Sequence, residues 1–183
     1  NTISLSAMTG NNGLVVMGSS GNIVADSYIQ AVSTVVAILG STSTVLNSNM
    51  IVGTSPGSSG LRLAVGSRSL FATSNTFVGG SASTGVFLDA GNSGAISFTS
   101  TTIKGSSYGL AVNPPASGET IALAIASMTF QSLTPGATAI ALNWGPGIHI
   151  ATFSSVRFND ANIAVNVDGS GLTAGSHITM LDA

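Results

Sequence analysis

Cysteine is absent from this 183-residue chain, and charged residues are rare. Without cysteine there are no disulfide bridges and no thiolate metal sites. Lysine and arginine number four and aspartate and glutamate six, which makes 5% of the residues charged, against roughly 25% in an average soluble protein. Four basic side chains cannot follow a phosphate backbone, so the sequence predicts no nucleic-acid partner.

Aromatic residues and long apolar runs are also scarce. Aromatics make up 5% of the chain, although hydrophobic residues make up 44%. The longest apolar stretch, 31–39, is interrupted by Ser33 and Thr34, so we predict no membrane insertion. The chain has no charged heptads typical of a coiled coil and is too apolar for charge-driven disorder. What it does contain in quantity is glycine, with 23 residues.

A repeat of roughly 25 residues runs through the chain. One element of the repeat is a small residue followed by an apolar, a variable and another apolar residue. The first apolar members of this element are Leu14, Val36, Leu61, Val86, Leu110, Ile140 and Ile163. They lie between 22 and 30 residues apart, which is the range expected for the turns of a solenoid protein.

Two further apolar positions recur in every period. One ends a Ser/Thr-x-x-Phe/Ile pattern, as at Phe77, Ile103 and Phe130, and the other lies five residues earlier, as at Phe98 and Ile125. Alternation within each short piece has the period of a strand, and no piece has the period of a helix. We therefore predict an all-β fold: a single-stranded, right-handed parallel β-helix of about seven coils of roughly 25 residues, with three short strands in each coil.

The same repeat explains the composition and the domain organisation. Stacked apolar columns supply the core, whereas like charges stacked one strand apart would repel each other. Glycine, asparagine and serine suit the corners, where a positive φ or a bond from side chain to backbone is needed. We interpret residues 1–183 as one β-helix domain. The start at Asn1 favours a mature secreted chain that has lost its signal peptide, or an excised segment.

The stretch from Ile96 to Val112, with Phe98, Ile103 and Leu110 at the three recurring positions, resembles one coil of the pectate-lyase-like superfamily. The resemblance extends from about residue 3 to 181. It implies a right-handed parallel β-helix, as in polysaccharide lyases and hydrolases, phage tailspikes, autotransporter passengers and surface adhesins. A fold shared by so many activities does not select a function.

No arrangement of residues predicts catalysis, a metal site or a cofactor. Acid–base chemistry on glycosides and Ca²⁺ binding both need grouped carboxylates, and no neighbouring coils carry two acids at the same position. The Gly-x-Ser-x-Gly match at 53–57 lies in a corner that contains Pro56, not in the strand–turn–helix context of a nucleophile elbow. His149, between Ile148 and Ile150, is predicted to point outward. We therefore predict a protein that is not an enzyme.

Two predicted contact surfaces distinguish this chain. The middle residue of each third strand should face outward, yet most of these residues are apolar, which is typical of an interface. The predicted lateral interface consists of Val15, Ala37, Arg62, Phe87, Ala111, Ala141 and Ala164. Both ends of the solenoid read as uncapped strand, which leaves edges free for strand addition. The predicted axial contacts are Ile3 and Leu5 at one end and Ile178 and Met180 at the other.

These surfaces favour a self-assembling structural protein, located outside the cell or at its surface. It would be the subunit of a filament, sheath or fibre whose partners are copies of itself, because head-to-tail contacts that do not close produce filaments. The alternative is a trimeric glycan-binding adhesin or tailspike segment, for which Phe87, Tyr108 and Trp144 are the candidate groove aromatics. A polysaccharide lyase or hydrolase is the least favoured function.

Overall fold

A computed structural model describes residues 2–3, 11–131, 133–169 and 173–181 of the chain. These residues form an all-β solenoid of about six turns, with roughly 26 residues in each turn and no helix. Three parallel sheets run along its sides, which confirms the predicted fold class; the right-handed sense of the coil stays a prediction. The sequence spacing overestimated the number of turns by about one, because the incomplete turns at the two ends also carry the repeat.

Between residues 23 and 168, each turn contributes one strand to each sheet in the order first, second, third. The first sheet contains β1 (Thr2–Ile3), β3 (Ile23–Ala25), β6 (Thr42–Asn47), β9 (Arg68–Thr73), β12 (Ser93–Thr99), β15 (Thr120–Ala126), β18 (Ile148–Ser154) and β21 (His177–Leu181). The second contains β4 (Tyr28–Ala31), β7 (Met50–Gly53), β10 (Thr76–Val78), β13 (Thr102–Lys104), β16 (Thr129–Gln131) and β19 (Arg157–Phe158). The third contains β2 (Leu14–Met17), β5 (Thr34–Leu39), β8 (Ser59–Ala64), β11 (Thr84–Leu88), β14 (Tyr108–Val112), β17 (Thr138–Asn143) and β20 (Ile163–Asp168).

The strand register stacks equivalent residues into continuous rows. In the second sheet Ile51, Phe77, Ile103 and Phe130 pair in succession, and all four are fully enclosed. Parallel pairing without a shift preserves which side chains face inward. Each inward row is therefore a column of apolar side chains that extends from one turn to the next, and these columns form the core.

The corner between the first and second sheets depends on a serine that adopts a left-handed backbone. The serines that begin the Ser-x-x-Phe/Ile patterns have φ between 50 and 55°, and they are Ser48, Ser74, Ser100, Ser127 and Ser155. The next residue points inward, and in two turns it is an asparagine. Asn49 donates from its backbone N–H (3.0 Å) and from Nδ2 (2.9 Å) to Oδ1 of Asn75. This ladder satisfies polar groups that the corner buries.

Glycine takes the second position of three third-sheet strands, because a side chain there would point into the core. A Cβ on Gly109 would collide with the ring of Phe130 and with the backbone oxygen of Ala139. Gly60 faces Phe77 and Gly85 faces Ile103 in the same way. The small residue in the sequence repeat therefore marks a place where the second and third sheets approach each other closely.

Candidate functional site

The outward face of the third sheet carries most of the predicted lateral residues in a single row. Successive strand pairs connect Val15, Ala37, Arg62, Phe87, Ala111 and Ala141. The prediction for Ala164 was wrong, since Ala141 pairs with Asn166. The sequence offers two apolar-x-apolar patterns here, 163–165 and 165–167, and the second one fills the core positions opposite Ile140 and Leu142.

This middle row is uneven, whereas the sequence suggested a flat strip. Ala111 and Ala141 are only 8% and 6% exposed, because larger neighbouring side chains project beyond their methyl groups. Arg62 interrupts the apolar surface, and its Nη2 lies 2.6 Å from Oδ2 of Asp89. Whether copies of the chain associate through this face stays a prediction.

The two sunken alanines form the floor of an open depression of about 300 Å³, which we name the third-sheet depression. It spans four neighbouring strands, β11, β14, β17 and β20, and Thr84 lies at its margin. The residues that form the floor and walls are Phe87, Tyr108, Ala111, Ala141, Asn143 and Asn166. Its volume lies at the lower end of the range for small-ligand pockets.

Amide side chains border the depression, with Asn143 at the end of β17 and Asn166 beside Ala141 in the middle row. Asn143 follows the last inward residue of β17, and its Nδ2 donates a 2.8 Å hydrogen bond to Oδ1 of Asn113 on the neighbouring turn. Asn113, Asn143 and Asn166 were not predicted as site residues from the sequence. A signal was present for the first two, since a polar residue directly follows the apolar-x-apolar pattern in several turns, as it also does at Asp89.

The aromatic candidates do not share one location. Phe87 and Tyr108 both line the third-sheet depression, and Tyr108 is half exposed. Trp144 is buried and stacks on His149, with 5.2 Å between the ring centroids. Only the first two can therefore contact a ligand on this face.

His149 lies inside the solenoid, so the outward orientation predicted for it was wrong. It is 2% exposed and pairs with Ile121, whose side chain belongs to the core of the first sheet. Its Nε2 has no hydrogen-bond partner among the described residues, and burial lowers the pKa of its imidazole below the ordinary value of 6.5. Counting back by twos from the buried Phe153 would have predicted the inward position.

The C-terminal end of the solenoid exposes residues of the core rows. Met180 continues the row of Phe153 and Val167 continues that of Leu142. Phe153 and Leu142 are buried, whereas Met180 and Val167 are 49% and 41% exposed. Ile178 is half buried in the adjoining row.

At the opposite end, Ile3 pairs with Val24 in the first sheet, in the same row as Met180. Leu5 lies outside the described residues. Apolar residues of one row thus stand at both ends of the described first sheet.

Two properties of the described ranges bear on other functions. They contain no group of three or more His, Asp and Glu residues placed to hold a metal ion. They also contain no helix that is long and apolar enough to cross a membrane. Asp89 forms an ion pair with Arg62, and Glu119 forms one with Arg68.

No protein-family model matches the chain, and no curated protein is similar enough to count as a match. The function of the chain therefore has to be inferred from its own surfaces.

Proposed function

We propose that the chain is a self-assembling extracellular structural protein whose copies stack end to end. The observation that carries this proposal is the exposure of core-row side chains at the C-terminal end, where Val167 and Met180 are about half exposed. An edge strand with apolar neighbours is a template for strand addition by another chain. As part of the same proposal, we assign the chain to the pectate-lyase-like superfamily, which includes fibres, adhesins and tailspikes. The parallel solenoid supports this assignment.

A second copy offers matching rows for this end. The row that ends at Met180 begins at Ile3, and the row that ends at Val167 begins at Val16. Stacking would therefore place apolar residues of the first turns against the exposed residues of the last turn. The low charge of the chain, −2 in total, leaves little electrostatic repulsion to oppose such contacts.

The proposal predicts that Met180→Lys weakens assembly. Removing an apolar side chain that the contact would bury should cost about 1.5–3 kcal/mol, or raise the concentration needed for assembly about tenfold or more. Light scattering over a concentration series, with negative-stain microscopy of the same samples, measures this. The wild-type chain should form rods that lengthen with concentration.

Met50→Lys provides the matched control. Met50 lies on the outward face of the second sheet, on a strand that is paired on both sides, and is 43% exposed, close to the value for Met180. It should assemble like the wild type. Wild-type protein that stays monomeric at high concentration would overturn the proposal, as would equal assembly of the two lysine variants.

Glycan binding is a second candidate function, and we propose it because of one observation. Phe87 and Tyr108 line the same depression together with two asparagines, and pockets that combine apolar and aromatic surface with a few polar groups are typical of small-ligand sites. An adhesin could carry out both functions, since the depression lies on the outward face of the third sheet, whereas stacking would use the sheet edge at Val167.

A further inference from the structure

The third-sheet depression differs from the rest of this sheet face in its chemistry. Its lining contains two aromatic rings, two alanines, two amides and a threonine hydroxyl, and no charged side chain. Arg62 and Asp89 on the same sheet are joined to each other by hydrogen bonds of 3.0 Å and 2.6 Å. A charged ligand would therefore have to leave water without gaining an opposite charge, which is costly.

The floor of the depression lets a flat ligand approach the sheet closely. Ala111 and Ala141 are paired residues on adjacent strands, so the floor extends over two strands, about 4.8 Å apart. Phe87 stands on the strand before Ala111 in the same row. Any larger residue at 141 would fill the space that the flanking side chains leave open.

The walls combine an apolar surface with hydrogen-bonding groups. Tyr108 presents both a ring and a phenolic hydroxyl, a combination that suits a ligand with one apolar and one polar side. Asn143 uses one N–H of its amide to bind Asn113, which orients the amide and leaves its other N–H and its oxygen available. Asn166 is exposed beside it.

We infer that the third-sheet depression binds an uncharged sugar residue. The face of a pyranose ring that carries C–H groups would pack on Phe87 or Tyr108, and its hydroxyl groups would bond to the amides of Asn143 and Asn166. Amides and tyrosine can both donate and accept, as sugar hydroxyls do. This inference rests on the second proposed function and specifies its ligand class and its site.

The test uses the full chain and four trisaccharides: those of glucose, galactose and N-acetylglucosamine, which are uncharged, and that of galacturonic acid, which is charged. Binding is measured by saturation-transfer difference NMR and by isothermal titration calorimetry. We expect saturable binding of at least one uncharged trisaccharide and none of the acidic one. Ala141→Leu and Tyr108→Ala should each weaken this binding tenfold or more.

Matched controls keep the result specific. Ala124→Leu changes an exposed outward alanine of the first sheet, and Phe71→Ala changes an exposed outward phenylalanine of the same sheet. Both should bind like the wild type. Because residue 141 points away from the core, circular dichroism should be unchanged in Ala141→Leu.

Each failure has a different meaning. If only the galacturonic acid trisaccharide binds, or if an uncharged one binds equally well to Ala141→Leu and Tyr108→Ala, the inference is overturned and glycan binding itself stands. If none of the four probes binds, both the inference and the second proposed function fail.

Discussion

His149 is enclosed by the solenoid, whereas His177 is exposed at the end of the first sheet. Burial against Trp144 and Ile121 lowers the pKa of His149 below 6.5. The unfolded chain therefore takes up a proton at a higher pH than the folded chain does. Between these two pKa values stability rises with pH, so it is greatest above about 6.5 and falls as the solution is acidified below this value.

This linkage gives a prediction for His149→Phe. The wild-type free energy of unfolding, measured by urea denaturation, should be lower at about pH 5.5 than at about pH 7.5. In His149→Phe, which keeps a ring beside Trp144, that difference should shrink. His177→Phe is the control and should retain the wild-type pH dependence. A pH dependence that is the same in all three proteins would contradict this account of the buried imidazole.

At the scale of the element, the contact between the second and third sheets restricts the second residue of a third-sheet strand. Gly109→Ala would push a methyl group against the Phe130 ring and the Ala139 backbone. Overpacking of this kind costs about 1–3 kcal/mol. We expect Gly109→Ala to lower the free energy of unfolding by an amount in this range, as measured in urea.

Phe130→Leu offers a direct check on the cause. It shortens the side chain that the new methyl group meets, so the double variant should lose less stability than the sum of the two single variants. Strict additivity would show that the collision with Phe130 is not the source of the loss.

The strands and their order could be predicted from sequence because each apolar position recurs once per turn. The sequence repeat places Phe77, Ile103 and Phe130 at one equivalent position, and in the structure they pair with one another in a single row. Errors arose where the sequence permits two alternations. At His149 and Ala164 the period of two is visible, but which half of it faces inward is decided by pairing with the preceding turn, across corners of variable length.

The depression could be predicted only in part. Phe87, Ala111 and Ala141 were predicted as neighbours because they occupy one row. Its shape depends on side chains of different heights on adjacent strands, which a pattern of apolar residues does not encode. Tyr108 also lines the depression. It is the first residue of β14, three residues before Ala111 on the same strand.

At the scale of the whole molecule, the strands of each described turn pair only with strands of the turns beside it, and its rows continue in both directions. Stability should then be a sum over turns and their interfaces. Deleting residues 76–101 removes one turn and joins Asn75 to Thr102, the residue that pairs with Thr76.

We expect this shortened chain to fold. Small-angle scattering should give a rod shorter by about 4.8 Å, the spacing of one strand, and urea unfolding should remain cooperative. Deleting 76–88, about half a turn, is the control, because it removes a second-sheet and a third-sheet strand without restoring the register and should abolish folding. A full-turn deletion that is as damaging as the half-turn deletion would contradict the additive picture.

The exposed rows at the C-terminal end have a consequence for how the molecule forms. In a solenoid, a folded turn is the template on which the next stretch of chain condenses, so growth proceeds by repeated addition at an open end. Each newly formed turn would briefly present a surface like the one that Val167 and Met180 present at the end of the described solenoid. A second copy that stacks on this end would add its strands in the same way as the next turn of the same chain does. Polymerisation would then continue folding from one molecule to the next.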